Sequence, residues 1–305
     1  MNRSMDKPGK PCYTAWELCG KTPVSERIWI MKKSCSDFIL AVLFGLAGFA
    51  LRLLQNRTGF EPDTGLPVSG NLPASLLPVL LALAGAALYL VIRRSLTGRV
   101  PELPFARLFR LENRGLLTIA LLGACTMALS GVLELANTLG GSAAAVSADG
   151  MEIVASPAGA GGSVALTAVL SAAAGACMAA GILFCRKTEE PPLILLAMPV
   201  CLLARLILVY RLRSTDPVLA DYYLEILGLM FLILATYRLS GFAVQAGRPR
   251  IFTLYGEAVV ILALTMLPDG AAPAMVLMLG GALALTGFQM MLEPGPASQP
   301  VEENT

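Results

Sequence analysis

Six ionisable side chains interrupt long apolar runs in this sequence: Arg52, Glu134, Arg205, Asp221, Glu225 and Glu257. A charge near the centre of a bilayer costs on the order of 2.5–3.5 kcal/mol on insertion scales, so such residues pair, face water or bind something charged. At the helical rise per residue, Arg205 falls about 10 Å below the outer end of its run and Glu225 about 9 Å below the outer start of the next. A short turn joins these two runs and makes them neighbours. A buried Arg205–Glu225 ion pair is therefore expected, with Asp221, one helical turn from Glu225, as a second acceptor. Thr126, Ser130, Glu134 and Asn137 recur at i, i+4, i+8 and i+11, a polar stripe on one helix face that brings Glu134 to about 5 Å from the outer interface. With Arg52 at a similar level, the outer half holds two cations and two anions. That set reads either as glue between helices or as a polar cavity for a small solute or ion. Glu257 stands apart, about 9 Å from the inner end of its run. Arg238 is its expected partner; without one, Glu257 is a candidate protonatable group for a proton-coupled step.

Other chemistry is excluded. The chain has no histidine, which removes Ser-His triads and His metal ligands together. Cys12, Cys19, Cys35, Cys125, Cys177, Cys185 and Cys201 form no C-x-x-C pair, so neither a zinc site nor a disulfide framework is expected. No phosphate-binding glycine loop, dinucleotide fingerprint, metalloprotease helix or nucleophile elbow occurs. No catalytic residue, metal or cofactor is assigned, and the balance is against an enzyme. A basic tract with interleaved aromatics is lacking, so nucleic acid is not an expected partner.

The elements that must position the six charges are membrane helices. The chain is 56% hydrophobic and 14% charged, against about 25% charged in soluble domains. Apolar runs at 37–54, 75–92, 115–138, 164–185, 193–212, 219–239, 251–268 and 272–292 each approach the ~20 residues a helix needs to cross the hydrocarbon core. The fold class is all-α, a polytopic transmembrane bundle of about eight spans. The short seventh run and the tight Leu267-Pro268-Asp269-Gly270 break make seven spans the rival count. Gly and Ala abundance suits close helix packing.

Residues 1–36 read as a polar cytoplasmic tail and 293–305 as a short polar tail, flanking a bundle at 37–292. Met31-Lys32-Lys33 resembles a natural start ahead of the first run; intact mass of the native protein tests this, and a first residue near Met1 refutes it. Gly48-Phe49-Ala50 is a passable cleavage site, but the run continues through Leu51–Leu54, which favours a retained span. Most of the 23 Lys and Arg fall in the N-terminal tail and in the breaks after runs two, four and six. By the positive-inside rule both termini are cytoplasmic, in the cell membrane. Arg211 and Arg213 are the discordant pair.

Residues 55–74 are rich in turn formers and are expected to form an ordered outer loop. In 104–114, Phe105, Leu108 and Phe109 fall near one face. Arg107, Arg110 and Arg114 fall on another and, with Arg93 and Arg94, make a basic loop. That pattern fits a short helix on the anionic inner leaflet or an ordinary positive-inside loop. Arg52-Leu53-Leu54 with Arg57 and Asp63 echoes Arg205-Leu206-Ile207 with Arg211 and Asp216, and Tyr89/Arg93 echoes Tyr237/Arg238, hinting at a parallel 4+4 repeat.

Arg52–Leu66, Asp216-Pro217 and Gly247-Arg248-Pro249-Arg250 together resemble a group of uncharacterised bacterial multi-spanning membrane proteins, over residues 31–295. The resemblance implies a membrane bundle and no particular activity. The functional expectation is small-solute or ion transport, alone or as the membrane subunit of an assembly with other membrane subunits. The alternative is a non-catalytic membrane interaction protein whose charges only pair helices. The bilayer is the expected partner in both; oligomeric state is open.

Overall fold

The computed structural model describes residues 24–59, 71–95, 105–109, 114–144, 160–187, 192–213, 219–270 and 272–292. They form nine α-helices: α1 (Val24–Thr58), α2 (Leu72–Ser95), the one-turn α3 (Phe105–Leu108), α4 (Arg114–Ala144), α5 (Ala160–Lys187), α6 (Ala197–Arg213), α7 (Leu219–Ala243), α8 (Pro249–Thr265) and α9 (Ala272–Met291). All except α3 contribute a stretch long and apolar enough to cross a membrane, eight in total. No strand occurs among the described residues. In hydrocarbon this is the expected solution, because a helix satisfies its backbone polar groups within one segment. The helix of α1 begins at Val24, inside the segment read from sequence as a polar tail.

Chain breakers set the boundaries that the apolar runs blur. Pro249 opens α8 at its first helical turn after extended Arg248, where the missing N–H costs nothing. At the other end, Leu267–Asp269 tightens into a 3-10 turn, and Gly270 takes a left-handed φ of 72° before α9 starts, a conformation that suits glycine. The seventh run is therefore a helix of its own, and the span count is eight rather than seven.

α9 is the most enclosed span and α2 the least. α4 lies between α9 and α5, and the chain of neighbours continues α5–α6–α7–α8 and back to α9. Backbones approach closely along both sides of α4. A Cβ on Gly123 would run into the backbone of Gly280 and Ala284, and one on Gly175 into Ala124 and Ala128. Small residues do here what large apolar ones do in water, since lipid offers no hydrophobic drive between helices.

α1 and α8 run parallel in tight register. A Cβ on Gly45 would meet Leu264, one on Gly48 would meet Thr265, and Arg52 reaches Asp269. α2 packs mainly on α1 and lightly on α8, outside the α4–α9 group. The packing leaves the 4+4 repeat unconfirmed: α1 lies on α8 and α4 on α9, whereas of the equivalent pairs α6 meets α4 chiefly through Arg205 and Glu134 and α5 with α8 is not a substantial contact among the described residues.

The face of the bundle at which α1 starts and α9 ends is closed by aromatic rings. Phe109 is fully buried and packs edge-on against Phe242 of α7 (5.3 Å between centroids), Phe288 of α9 (5.4 Å) and Phe252 of α8 (6.3 Å), with Phe105 at 4.6 Å. Of the two readings of this segment, the surface helix is corrected. The apolar side of α3 turns into the helix ends instead of the lipid, because a ready-made ring of phenylalanines offers it more contact.

Candidate functional site

α4, α5 and α6 meet around Arg205. Gly131 on α4 lets Ala168 and Ala172 of α5 come close, which brings Glu134, one turn on from Gly131, beside Thr167. Arg205 enters from α6 and is 2% exposed. Its Nη1 donates to Glu134 Oε2 at 2.6 Å, Ser171 Oγ at 2.5 Å and the Thr167 carbonyl at 3.0 Å. Two protons thus serve three acceptors on two helices. The Thr167 hydroxyl lies 2.7 Å from both Glu134 Oε1 and the Val164 carbonyl, with one proton for the two. Ser171 Oγ donates back to the Thr167 carbonyl at 2.8 Å. Arg205 Nε is buried without a hydrogen-bond partner.

A second guanidinium sits where α1 meets the α8–α9 turn. Arg52, also 2% exposed, donates from Nε to Asp269 Oδ1 at 2.6 Å. Asn56 Nδ2 donates to the same oxygen at 3.1 Å and to the Pro268 carbonyl at 3.2 Å. The ring of Tyr223, from α7, lies 5.8 Å from the Arg52 guanidinium carbon. Arg52 Nη1, Gln55 Oε1 and Asn71 Nδ2 lack partners.

Glu257 is buried on α8, 3% exposed, with Oε2 unpartnered. The carboxylate acting on it is Asp37 of α1, itself buried. Gln289 of α9 lies over Gly256 and donates from Nε2 to the Thr253 carbonyl at 3.2 Å.

The structure separates what the sequence grouped. Arg52 and Arg205 occupy different helix interfaces, and each has its own acid. The carboxylate given to Arg205 is Glu134, in place of the expected Glu225: α5 delivers Glu134 and two oxygens to the same spot. Glu225 stands half-buried on α7 with contacts of its own. The side chain of Asp221 lies outside the described residues, as do that of Arg107 and all of Arg110. Arg93 and Arg94 are exposed at the end of α2 and Arg114 at the start of α4. The polar stripe of α4 dissolves into local bonds: Thr126 and Ser130 donate to carbonyls three residues back, and Asn137 is exposed. Arg238 stacks over its neighbour Tyr237 at 5.7 Å, and it is α1 that covers the Glu257 face.

Sequence reading missed Asp37, Thr167, Ser171, Asp269 and Gln289. Thr167 and Ser171 carried a signal, two hydroxyls one turn apart in the fourth run. Asp37 and Asp269 sat at run ends, where an acid looks merely solvated. Among the described residues no three His, Cys, Asp or Glu gather as a metal site. No protein-family model matches the chain, no curated protein matches its sequence and no solved structure matches its fold.

Proposed function

We propose that this integral membrane protein passes a small solute or ion across the cell membrane, alone or as the membrane subunit of a transport assembly, with α4, α5 and α6 forming the wall that meets the solute. The observation that carries this reading is Arg205: a guanidinium buried in a membrane-spanning bundle, with three acceptors crowded on Nη1 and with Nε unpartnered. Buried polar atoms are almost always satisfied, and an exception calls for an explanation, of which a bound solute, ion or water is one. The guanidinium plane suits a carboxylate or another planar anion. The phenylalanine cluster fits a closed gate at the opposite face. In the orientation favoured by the Lys and Arg distribution, both termini are cytoplasmic and Arg205 lies in the outer half.

The test is thermal unfolding of purified protein against a panel of small anionic and neutral solutes. A binder stabilises the wild type and fails to stabilise Arg205→Ala. A panel whose members stabilise both forms equally, or neither, overturns the assignment. The second reading, a non-catalytic assembly protein, draws on the same contacts seen differently: both buried arginines already hold an internal acid.

A further inference from the structure

We propose a site for one anionic phospholipid on the lipid-facing side of α8, in the groove between α2 and α7, with Arg238 and Arg248 holding its phosphate. It goes beyond the solute reading and does not require that Arg205 bind anything.

The packing leaves one side of α8 open. α8 lies against α1, α7 and α9 and lightly against α2, while α2 and α7 have no substantial contact with each other among the described residues. α8 is thus the floor of a groove walled by α2 and α7. The directions around its first half are fixed by named contacts. Gly256 faces Gln289 of α9, Glu257 turns to α1, whose Asp37 acts on it, and the Tyr255 ring meets Phe231 of α7 at 6.0 Å. At 3.6 residues per turn, Ile251, Leu254 and Ala258 then point away from α9, between the α1 and α7 sides. All three are half-buried, as is Tyr255. Further along α8 the strip ends. α1 crosses that face where Gly48 meets Thr265, and every residue from Val259 to Ala263 is buried.

The open strip from Ile251 to Ala258 is about 10 Å long, most of the ~15 Å that one leaflet contributes to the hydrocarbon core. That is the shape of an acyl chain. A second membrane helix fits it less well, because helices dock in lipid through small residues, and Ala258 is the one small side chain beside Ile251, Leu254 and Tyr255.

The mouth of the groove carries the charge. Arg238 follows Phe231 by seven residues, two turns along the same face of α7. Phe231 against Tyr255 and Phe242 against Phe252 (5.5 Å) set α7 and α8 antiparallel, which brings Arg238 beside the start of α8, where Arg248 is exposed. Arg238 Nε is buried without a hydrogen-bond partner, and its guanidinium carbon lies 5.7 Å from the Tyr237 ring. Tyr237 is 53% exposed, an amphipathic ring of the kind that sits at headgroup level. The α2 wall ends in Arg93 and Arg94, both exposed. A guanidinium with a free donor suits phosphate oxygens, and the cationic surroundings favour a headgroup of net negative charge over a zwitterionic one.

The experiment uses delipidated full-length protein in an uncharged detergent. Native mass spectrometry measures binding of phosphatidylglycerol, of phosphatidylcholine with the same chains, and of glycerol 3-phosphate as the headgroup alone. Wild type should retain one phosphatidylglycerol and bind it tighter than phosphatidylcholine by about fivefold for each arginine engaged. Arg238→Gln should lose about fivefold in phosphatidylglycerol affinity with phosphatidylcholine unchanged. Arg114→Gln, at the start of α4, should leave both unchanged. In a parallel arm that needs no variant to fold, phosphatidylglycerol with a diazirine on its acyl chain should cross-link to Leu254, Ala258 or Phe231. The proposal is overturned if the two lipids bind equally, if glycerol 3-phosphate binds as well as the lipid, or if Arg238→Gln keeps the full preference. Cross-links found only outside the groove, or a second copy of the chain retained in place of the lipid, overturn it too.

Discussion

Replacing Glu134 by leucine strands Arg205 in the interior. The guanidinium keeps Ser171 Oγ and the Thr167 carbonyl but loses its counter-charge at 2.6 Å. Breaking a buried pair by removing one partner costs about 3–5 kcal/mol. Glu134 is 14% exposed and two acceptors survive, so the lower end, about 3 kcal/mol, applies. At about 2–4 °C per kcal/mol, Glu134→Leu lowers the melting temperature by about 6–12 °C. Arg205→Met is milder, about 1–2 kcal/mol, because Glu134 keeps the Thr167 hydroxyl and a route to water. With both charges removed, Arg205→Met/Glu134→Leu returns to within about 1 kcal/mol of wild type, since an apolar pair of similar volume replaces a buried ion pair with little loss. Thermal unfolding of the four proteins in detergent, closed as a double-mutant cycle, should give a coupling of about 2 kcal/mol or more. Additive single effects refute the pairing. So does a cycle that couples Arg205 to Glu225 and not to Glu134, the outcome that the chain neighbourhood of α6 and α7 predicts.

Phe109→Ala removes the hub of the aromatic closure and should cost about 3–5 kcal/mol in the same melting assay; a loss below 1 kcal/mol on that scale would place α3 elsewhere. Gly123→Leu and Gly280→Leu force apart α4 and α9 and should abolish the monodisperse folded peak on size exclusion, whereas Gly85→Leu, with nothing within 4 Å of its Cβ, should leave it unchanged. Gly270→Ala forces a left-handed φ of 72° on a residue with a side chain, at about 1–2 kcal/mol, and disturbs the turn that presents Asp269 to Arg52. Cys177 and Cys201 lie near each other on the packed helices α5 and α6, so a short bifunctional thiol reagent should join them, read as an intramolecular cross-link by mass spectrometry; failure to cross-link argues against this helix pairing.

The membrane bundle was legible because hydrocarbon leaves few choices. Each apolar run long enough to cross had to be a helix, and the run boundaries fell near the chain breakers Pro249, Pro273 and Gly270. The turn at Leu267–Gly270 was ambiguous only because 3-10 geometry lets two spans follow one another with almost no loop. Helix order around the bundle was illegible for the opposite reason. Lipid-facing and helix-facing positions are both apolar, so neither periodicity nor hydropathy marks which faces meet. The glycines carry that information: Gly123, Gly131, Gly175 and Gly280 mark the closest approaches, but their partners emerge only in three dimensions.

The same limit governed the charges. The six ionisable groups within the apolar runs stood out at once, because each breaks an apolar run and bears an energetic cost. Their pairing did not follow from chain proximity, which joined Arg205 to Glu225 across a short turn and left Glu257 to Arg238. In a bundle whose neighbours are set by small-residue contacts, a charge meets whatever acid the closest backbone delivers. Gly131 delivers Glu134 to Thr167 and so to Arg205; Gly45 and Gly48 deliver Arg52 to Asp269 and Asp37 to Glu257. Asp37 and Asp269 escaped notice at run ends because an acid there costs nothing if the helix ends in water. It is the parallel packing of α1 on α8 that buries Asp37 and sets Asp269 against Arg52, and so makes the two ends of one small-residue stripe the places where charge is held.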